Sequence, residues 1–193
     1  MKIAAVILAG GEGTRIGGGK PMLLLGGTTL LDRAIDYAFT QSDLVAIAVR
    51  DAQQVGGVSV PTIHDDAAIE GPLAGLVSAL GFAVHEGAGA VLTLPADMPF
   101  LPSDFATRLA KGLAGNRAAV AKSCGHLHPV CGLWRTEAVD SVPAYLASDK
   151  RSLRGFAEAV GYVAVDWPSD PEDPFFNINT PVDLASAEQR LQR

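Results

Sequence analysis

Residues 8–21 read LAGGEGTRIGGGKP, a glycine-rich segment that carries one arginine and one lysine. It directly follows the apolar run Ile3 to Leu8, which is typical of a buried strand. Glycine lets backbone amides approach a ligand closely, and amides that converge from a loop form an anion-binding nest. Arg15 and Lys20 add positive charge beside those amides. A strand followed by such a loop therefore predicts a phosphate-binding site at the carboxyl edge of a sheet.

Two common phosphate-binding motifs nearly match this loop and then fail. A Walker A loop requires Ser or Thr after Gly-Lys, but Pro21 follows Lys20, and Thr14 stands at the first glycine position. The dinucleotide fingerprint begins at Gly11 and Gly13 but meets Ile16 at its last glycine. The loop therefore disfavours both a P-loop NTPase and a Rossmann dehydrogenase.

Composition limits the class of protein and its partners. The chain has 193 residues, a net charge of -6 and two cysteines. This length suits one domain, which we expect to cover residues 1–193. The acidic balance argues against nucleic acid as the main partner, and two cysteines are too few for a disulfide scaffold. No apolar run approaches the length of a membrane span or the pattern of a signal peptide, so we expect a cytoplasmic protein that does not enter the membrane.

The rest of the chain alternates between strand-like and helix-like segments. The predicted strands are Lys2–Leu8, Leu44–Val49, Val58–Ile63, Ala90–Leu94, Arg117–Ala121, His128–Trp134 and Tyr162–Asp166. The predicted helices are Thr28–Phe39, Pro72–His85, Ser103–Leu113, Thr136–Leu146, Ser152–Val160 and Thr180–Leu191. This alternation predicts an α/β fold with three layers and a mostly parallel sheet. The carboxyl ends of its strands would bring the glycine-rich loop, Asp65-Asp66 and Asp97 to one rim.

Asp97 lies in the segment TLPADMPFLP, which follows an apolar strand and contains three prolines that stiffen the loop. A carboxylate at a sheet rim opposite a phosphate loop suits Mg²⁺, which prefers one or two carboxylates together with phosphate oxygens and water. An ordinary turn or cap aspartate is the alternative.

Asn177 and Asn179 stand two residues apart in FFNINTP, so on an extended backbone their side chains project to the same side. Their amides could bind a hard cation or a substrate phosphate, or they could be turn residues that lead into a helix.

Two further segments are ambiguous. Gly71 and Gly75 could admit a flat group beside Asp65, or could simply belong to a helix start at Pro72. The segment CGHLHPVC, residues 124–131, has zinc-ligand residue types but matches no common structural zinc spacing.

Taken together, these segments resemble the nucleotidyltransferase family typified by molybdenum cofactor guanylyltransferase. The resemblance spans nearly the whole chain and depends on LAGGEGTRIGGGKP, EGPLAGLVSAL, LPADMPFLP, HPVCGLW and FFNINTPVDL. It implies a three-layer, Rossmann-like nucleotidyltransferase fold and transfer of GMP from GTP to molybdopterin or its molybdenum form, with release of pyrophosphate and use of Mg²⁺. It also implies contacts with proteins that mature molybdoenzymes.

The resemblance also implies roles for individual residues. Those implied to bind nucleotide or substrate are Leu8, Ala9, Gly10, Gly11, Gly13, Lys20, Asp65, Gly71, Asp97, Asn177 and Asn179. Arg15, Lys20 and Asp97 would act in catalysis, and Asp97 would bind Mg²⁺. Asp65 would contact the guanosine, and the two asparagines would face the pterin phosphate.

The chain departs from the family pattern after the second strand, where Val49-Arg50-Asp51 stands in place of a frequent asparagine. A cytidylyl or sugar-phosphate nucleotidyltransferase therefore remains an alternative, as does a non-catalytic nucleotide-binding module.

Overall fold

The fold is organised around a seven-stranded sheet with the strand order β5-β4-β1-β6-β8-β7-β9. The structure is a computed structural model, and it describes residues 1–10, 19–51, 55–66, 68–69 and 71–192. The strands of this sheet are β1 (Ile3–Leu8), β4 (Val45–Val49), β5 (Thr62–His64), β6 (Ala90–Pro95), β7 (Ala118–Ser123), β8 (His126–Arg135) and β9 (Tyr162–Asp166). A separate two-stranded ribbon joins β2 (Leu24–Leu25) to β3 (Thr28–Thr29).

The sheet is parallel from β5 to β6, and this half carries the rim of interest. β8 runs antiparallel to β6 and β7, and β9 returns parallel to β7. The reversal occurs at Cys124-Gly125, where both residues have positive φ angles of 48° and 78°. Two left-handed residues close a tight hairpin, so β7 and β8 can pair directly. The expected mostly parallel sheet is confirmed, with β8 as the exception.

Helices cover both faces of the sheet. They are α1 (Leu30–Gln41), α2 (Pro72–His85), α3 (Phe105–Gly112), α4 (Val142–Ala147), α5 (Leu153–Val160) and α6 (Pro181–Leu191). Ala5 and Ile7 of β1 pack into the core with α1 and α3, whereas Ala4 and Val6 pack into the core with α2 and α5. Because successive strand residues point to opposite faces, one apolar strand supplies both cores. The expected three-layer α/β architecture is therefore confirmed.

Several predicted element boundaries differ from those observed, among them the following three. The helix expected over Thr28–Phe39 begins at Leu30, because Gly26 and Gly27 adopt φ angles of 59° and 81° and turn the chain into the β2–β3 ribbon. The strand expected over Val58–Ile63 is Thr62–His64. The helix expected over Thr136–Leu146 is a 3₁₀ turn, Thr136–Ser141, followed by α4, which has Pro143 in its first turn.

In the sequence, Thr180, Pro181 and Asp183 predict a capped helix start, and the structure confirms it for α6. Thr180 is its N-cap, Pro181 opens the first turn, and Asp183 completes a capping box with Thr180. Ile178 and Ala187 anchor this end of the chain by packing against Leu25 and Leu30. None of the helices in the described part of the chain is long and apolar enough to cross a membrane.

Candidate active site

A cavity of about 390 Å³ opens at the carboxyl ends of the parallel strands. β1, β4, β5 and β6 all end there, so the residues that follow these strands converge on one place. The lining residues are Leu8, Gly10, Ala48, Arg50, Asp65, Gly71, Pro72, Gly75, Pro95, Asp97, Val130 and Asn177. The rim expected from the sequence is therefore where the cavity lies.

Most of the residues predicted for the site meet at this rim. Those that line the cavity are Leu8, Gly10, Asp65, Gly71, Asp97 and Asn177. A smaller adjoining hollow of about 40 Å³ brings Ala9 and Lys20 beside Leu8 and Asp97. Gly11, Gly13 and Arg15 lie outside the described residues.

Lys20 is the centre of a polar network beside the cavity. It opens a 3₁₀ turn, Lys20–Met22, and only 13% of its side chain is exposed. Its Nζ donates to the Asp97 carboxylate, to Asn179 Oδ1 at 2.7 Å and to Asn177 Oδ1 at 3.4 Å. An ammonium group has three N–H donors, so these three acceptors satisfy it completely. The network holds one positive charge at the mouth of the cavity.

The two asparagines reach Lys20 because the backbone between them is anchored. Ile178 is fully buried, and its N–H donates to the carbonyl oxygen of Asp97 at 3.0 Å. With Ile178 directed into the core, Asn177 and Asn179 both turn toward Lys20, as their spacing predicts.

Two carboxylate oxygens at the cavity have no hydrogen-bond partner among the described residues. They are Oδ1 of Asp65 and Oδ1 of Asp97, and both atoms are buried. A buried acceptor without a partner is costly and rare, so its presence beside a cavity indicates a group that a ligand satisfies. The second oxygen of Asp97 already pairs with Lys20, which leaves Oδ1 for a metal ion or a donor.

Asp65 packs tightly against glycine. A Cβ atom at Gly10 would lie 2.7 Å from Asp65 Oδ2, and one at Gly75 would lie 3.5 Å from Asp65 Oδ1 and 3.1 Å from Leu8 Cδ2. Any residue other than glycine at position 10 would therefore displace the Asp65 carboxylate. Burial raises the pKa of Asp65 above its usual value, although the charges of Arg50 and His64 act in the opposite direction.

This burial predicts a pH-dependent stability difference for Asp65→Asn. The carboxyl has a higher pKa in the folded protein than in the unfolded chain, so its contribution to stability is full below the unfolded pKa of about 4 and is lost as the pH rises. The neutral amide avoids this loss. We expect Asp65→Asn to be more stable than the wild type at neutral pH, with a difference that shrinks toward pH 4. Urea unfolding across a pH series measures it, and a variant less stable at neutral pH would contradict the stated cause.

Several lining residues were not predicted from the sequence. Part of the apolar wall of the cavity is formed by Ala48, Pro95 and Val130, and nothing in the sequence marks these residues as members of a site. Arg50 could have been found, because it directly follows a buried strand that ends at the rim. Its charge lowers the pKa of Asp65, which lines the same cavity.

The histidines of the CGHLHPVC segment do not line the cavity. His128 Nε2 lies 2.8 Å from Ser123 Oγ, and its ring stacks on Phe175 at a centroid distance of 4.8 Å. Burial lowers the pKa of His128, although Asp173 raises it in part, and this favours the neutral form of the stacked ring. Among the described residues, no group of three or more His, Cys, Asp or Glu could hold a metal ion. A lone Asp97 is still enough for an ion whose other ligands are phosphate and water.

Comparison with known proteins places this geometry in one family. Residues 5–163 match the model of the MobA-like NTP transferase domain. A molybdenum cofactor guanylyltransferase from Cereibacter sphaeroides is 39% identical over 196 residues, covering 100% of this chain and 99% of that protein. One from Rhodopseudomonas palustris is 42% identical over 193 residues, covering 96% and 92% respectively.

Solved structures support the same assignment. Molybdopterin-guanine dinucleotide biosynthesis protein A from Archaeoglobus fulgidus aligns with a TM-score of 0.78 and 26% identity, over 100% of this chain and 99% of that one. The 4-diphosphocytidyl-2C-methyl-D-erythritol synthase from Anaerococcus prevotii aligns with a TM-score of 0.77 at 16% identity, over 100% and 96% respectively. This second likeness shows a shared fold.

Proposed function

The chain belongs to the MobA-like NTP transferase family and, within it, to the molybdenum cofactor guanylyltransferases, and on that premise we propose that it transfers GMP from GTP to molybdopterin. The observation that carries the proposal is the pairing of charges at one cavity. One lysine is held in place by three acceptors, and two buried carboxylate oxygens lack a hydrogen-bond partner within the part of the chain that the structure describes; all lie near the end of β1. A volume of about 390 Å³ falls in the range typical of small-molecule sites.

The nucleotide would occupy the cavity with its base toward Asp65. Gly71 leaves room for a flat group close to the backbone, because no described atom lies within 4 Å of where its Cβ would stand. The buried Oδ1 of Asp65 would accept hydrogen bonds from the N1–H and amino group of guanine. The triphosphate would then extend from Leu8, Ala9 and Gly10 toward Gly11, Gly13, Arg15 and Lys20.

Family membership indicates a requirement for a divalent metal ion, and we assign it as Mg²⁺. Asp97 would hold it through Oδ1, the oxygen that Lys20 leaves free. When bound, Mg²⁺ withdraws charge from the phosphate oxygens that it contacts. Asn177 and Asn179 would face the acceptor phosphate from the other side of Lys20.

The reaction needs no covalent intermediate on the protein. An oxygen of the acceptor's terminal phosphate attacks the α-phosphorus of GTP in line, and the bond from that phosphorus to the bridging oxygen breaks. The electron pair leaves with pyrophosphate. A phosphate monoester is largely dianionic at neutral pH, so its oxygen attacks without a general base. The protein would contribute alignment of the two substrates and stabilisation of the leaving charge, a role that we propose for Lys20 and Arg15.

Family membership also supports proposals about the domain, the location and the protein partners of this chain. We propose one catalytic domain over residues 1–193, a cytoplasmic location, and contact with proteins that mature molybdoenzymes. The net charge of -6 argues against a nucleic-acid partner.

The proposed function is tested by measuring pyrophosphate release from GTP with and without molybdopterin. Release that depends on molybdopterin supports the proposal. Release driven equally well by a sugar phosphate would reject the acceptor, and nucleotide binding without release would point to a non-catalytic module.

The variant Lys20→Ala is expected to lower turnover about 10²-fold, the scale of one lost electrostatic donor in an active site. Its loss also leaves the Asp97 carboxylate without its partner. The fold should persist, because Lys20 lies at the rim and the buried side chain of its neighbour Pro21 anchors the 3₁₀ turn. Steady-state kinetics beside a melting curve provide the measurement, and near-normal turnover would remove Lys20 from the mechanism.

A further inference from the structure

Asp183 makes one hydrogen bond more than a helix cap requires. Its Oδ2 accepts the backbone N–H of Thr180 at 2.8 Å, and Thr180 Oγ1 accepts the N–H of Asp183 at 3.2 Å. These two bonds are the ordinary capping box. The same Oδ2 also accepts the N–H of Asn179 at 2.9 Å, one residue further back and outside the helix. The carboxylate therefore holds the backbone of a residue that reaches the site.

That residue makes the shorter of the two amide contacts to Lys20. Asn179 Oδ1 lies 2.7 Å from Lys20 Nζ, whereas Asn177 Oδ1 lies 3.4 Å away. On the side of Asn177, the buried Ile178 and its bond to the Asp97 carbonyl fix the backbone. On the side of Asn179, the backbone N–H is held by Asp183. A continuous chain of contacts thus joins Asp183, Asn179 and Lys20.

The charge of Asp183 agrees with this arrangement. The backbone N–H of Asn179 is the largest cause that holds the pKa of Asp183 below its usual value, and Thr180 and Lys20 act in the same direction. The group is therefore ionised at neutral pH, when hydrogen bonds to it are strongest.

We propose that Asp183 is a positioning residue for nucleotidyl transfer: its carboxylate fixes Asn179, and Asn179 fixes the Lys20 ammonium at the mouth of the cavity. This inference rests on the proposed function, since Lys20 acts there on the triphosphate. Asp183 itself touches no reacting atom. The first turn of α6 thereby becomes part of the support of the active site.

Three variants separate positioning from helix capping. Asp183→Ala removes the acceptor of both N–H groups. Asp183→Asn keeps one side-chain oxygen where Oδ2 stood, and a single oxygen can accept from both. Asp32→Ala is the matched control, because Asp32 occupies the same position in α1 behind the N-cap Thr29 and accepts the Thr29 hydroxyl at 2.6 Å. Loss of a cap interaction in either helix should lower the melting temperature by about 2–4 °C.

The kinetic result follows from the chain of contacts. Asp183→Ala should lower kcat about 10-fold while KM for GTP changes by less than about twofold, because a displaced Lys20 mainly costs alignment. Asp183→Asn should recover most of kcat, and Asp32→Ala should leave it unchanged. In a Lys20→Ala background, Asp183→Ala should lower kcat much less than in the wild type, since only the contact of Asn179 with the acceptor phosphate is left to disturb. A full and additive loss in that background, or an equal loss in Asp32→Ala, would overturn the proposal.

A second measurement does not depend on turnover. Because three acceptors hold the Lys20 ammonium and little of its side chain is exposed, we expect its protons to exchange slowly enough to give an NMR signal. The signal should persist in the wild type, in Asp183→Asn and in Asp32→Ala, and should disappear in Asp183→Ala. An unchanged signal in Asp183→Ala would overturn the positioning role. A wild type that shows the signal but releases no pyrophosphate would instead count against the proposed function alone.

Discussion

GTP should be used about 10⁴-fold better than CTP or ATP, measured as kcat/KM for pyrophosphate release with molybdopterin as acceptor. The reason is the buried Oδ1 of Asp65, which has no partner among the described residues. Guanine offers two adjacent N–H donors to a carboxylate. Adenine places a ring acceptor at the same edge, so the carboxylate would stay unpaired and face a lone pair. A site that leaves a buried polar group unsatisfied rejects the wrong ligand strongly.

Two controls, one nucleotide and one variant, test whether Asp65 is the group that distinguishes guanine from the other bases. ITP keeps the ring N–H of guanine but lacks the amino group, so its kcat/KM should fall between those of GTP and ATP. Asp65→Asn should lower kcat/KM for GTP far more than for CTP. Equal use of GTP and CTP by the wild type would reject guanylyl specificity and favour the cytidylyl alternative within the same class of enzyme.

Asp97→Asn should lower turnover about 10³-fold at ordinary Mg²⁺ concentrations and recover only partly as Mg²⁺ is raised. The substitution keeps the size of the side chain and its ability to accept from Lys20, but it removes the negative charge that a hard cation requires. A turn or cap role would tolerate the change, because Asn caps about as well as Asp. A Mg²⁺ titration of activity, beside a melting curve, distinguishes the two roles.

Asp166→Asn is the matched control for this substitution. Asp166 forms another Lys–Asp ion pair, with Lys122 at 3.3 Å, on strands away from the residues that line the cavity. Replacing Asp166 with Asn should leave the Mg²⁺ dependence of turnover unchanged. An Asp97→Asn enzyme with the wild-type Mg²⁺ dependence would remove the metal role of Asp97.

The architecture was predictable because β1 and β6 are short apolar runs that end in a glycine-rich loop and in Asp97. Buried strands between helices indicate a parallel sheet, and such a sheet brings its strand ends together. The ribbon at Gly26-Gly27 was missed because Thr28–Phe39 reads as one amphipathic segment. Both glycines adopt the left-handed conformation, which turns Thr28 and Thr29 into the ribbon so that the helix begins only at Leu30, and this conformation is visible only in the backbone.

The sequence predicts which residues belong to the site, but it does not predict the contacts between them. The spacing of Asn177 and Asn179 indicates that they share a side, but it does not indicate that both accept from Lys20. Gly10 and Asp65 fit closely together but lie far apart in the sequence, so no local sequence pattern predicts their contact. For the same reason, Asp183 reads as a helix cap in the sequence, and its bond to Asn179 emerges only from the folded chain.

The most direct test of the proposed reaction follows the phosphates of GTP with two labelled substrates, one labelled at the α-phosphate and one at the γ-phosphate, in the presence of molybdopterin and Mg²⁺. Attack at the α-phosphorus predicts that the α label appears in the acceptor, joined to guanosine, and that the γ label appears only in pyrophosphate. A γ label in the acceptor, or an α label that remains in free nucleotide while pyrophosphate accumulates, would contradict GMP transfer.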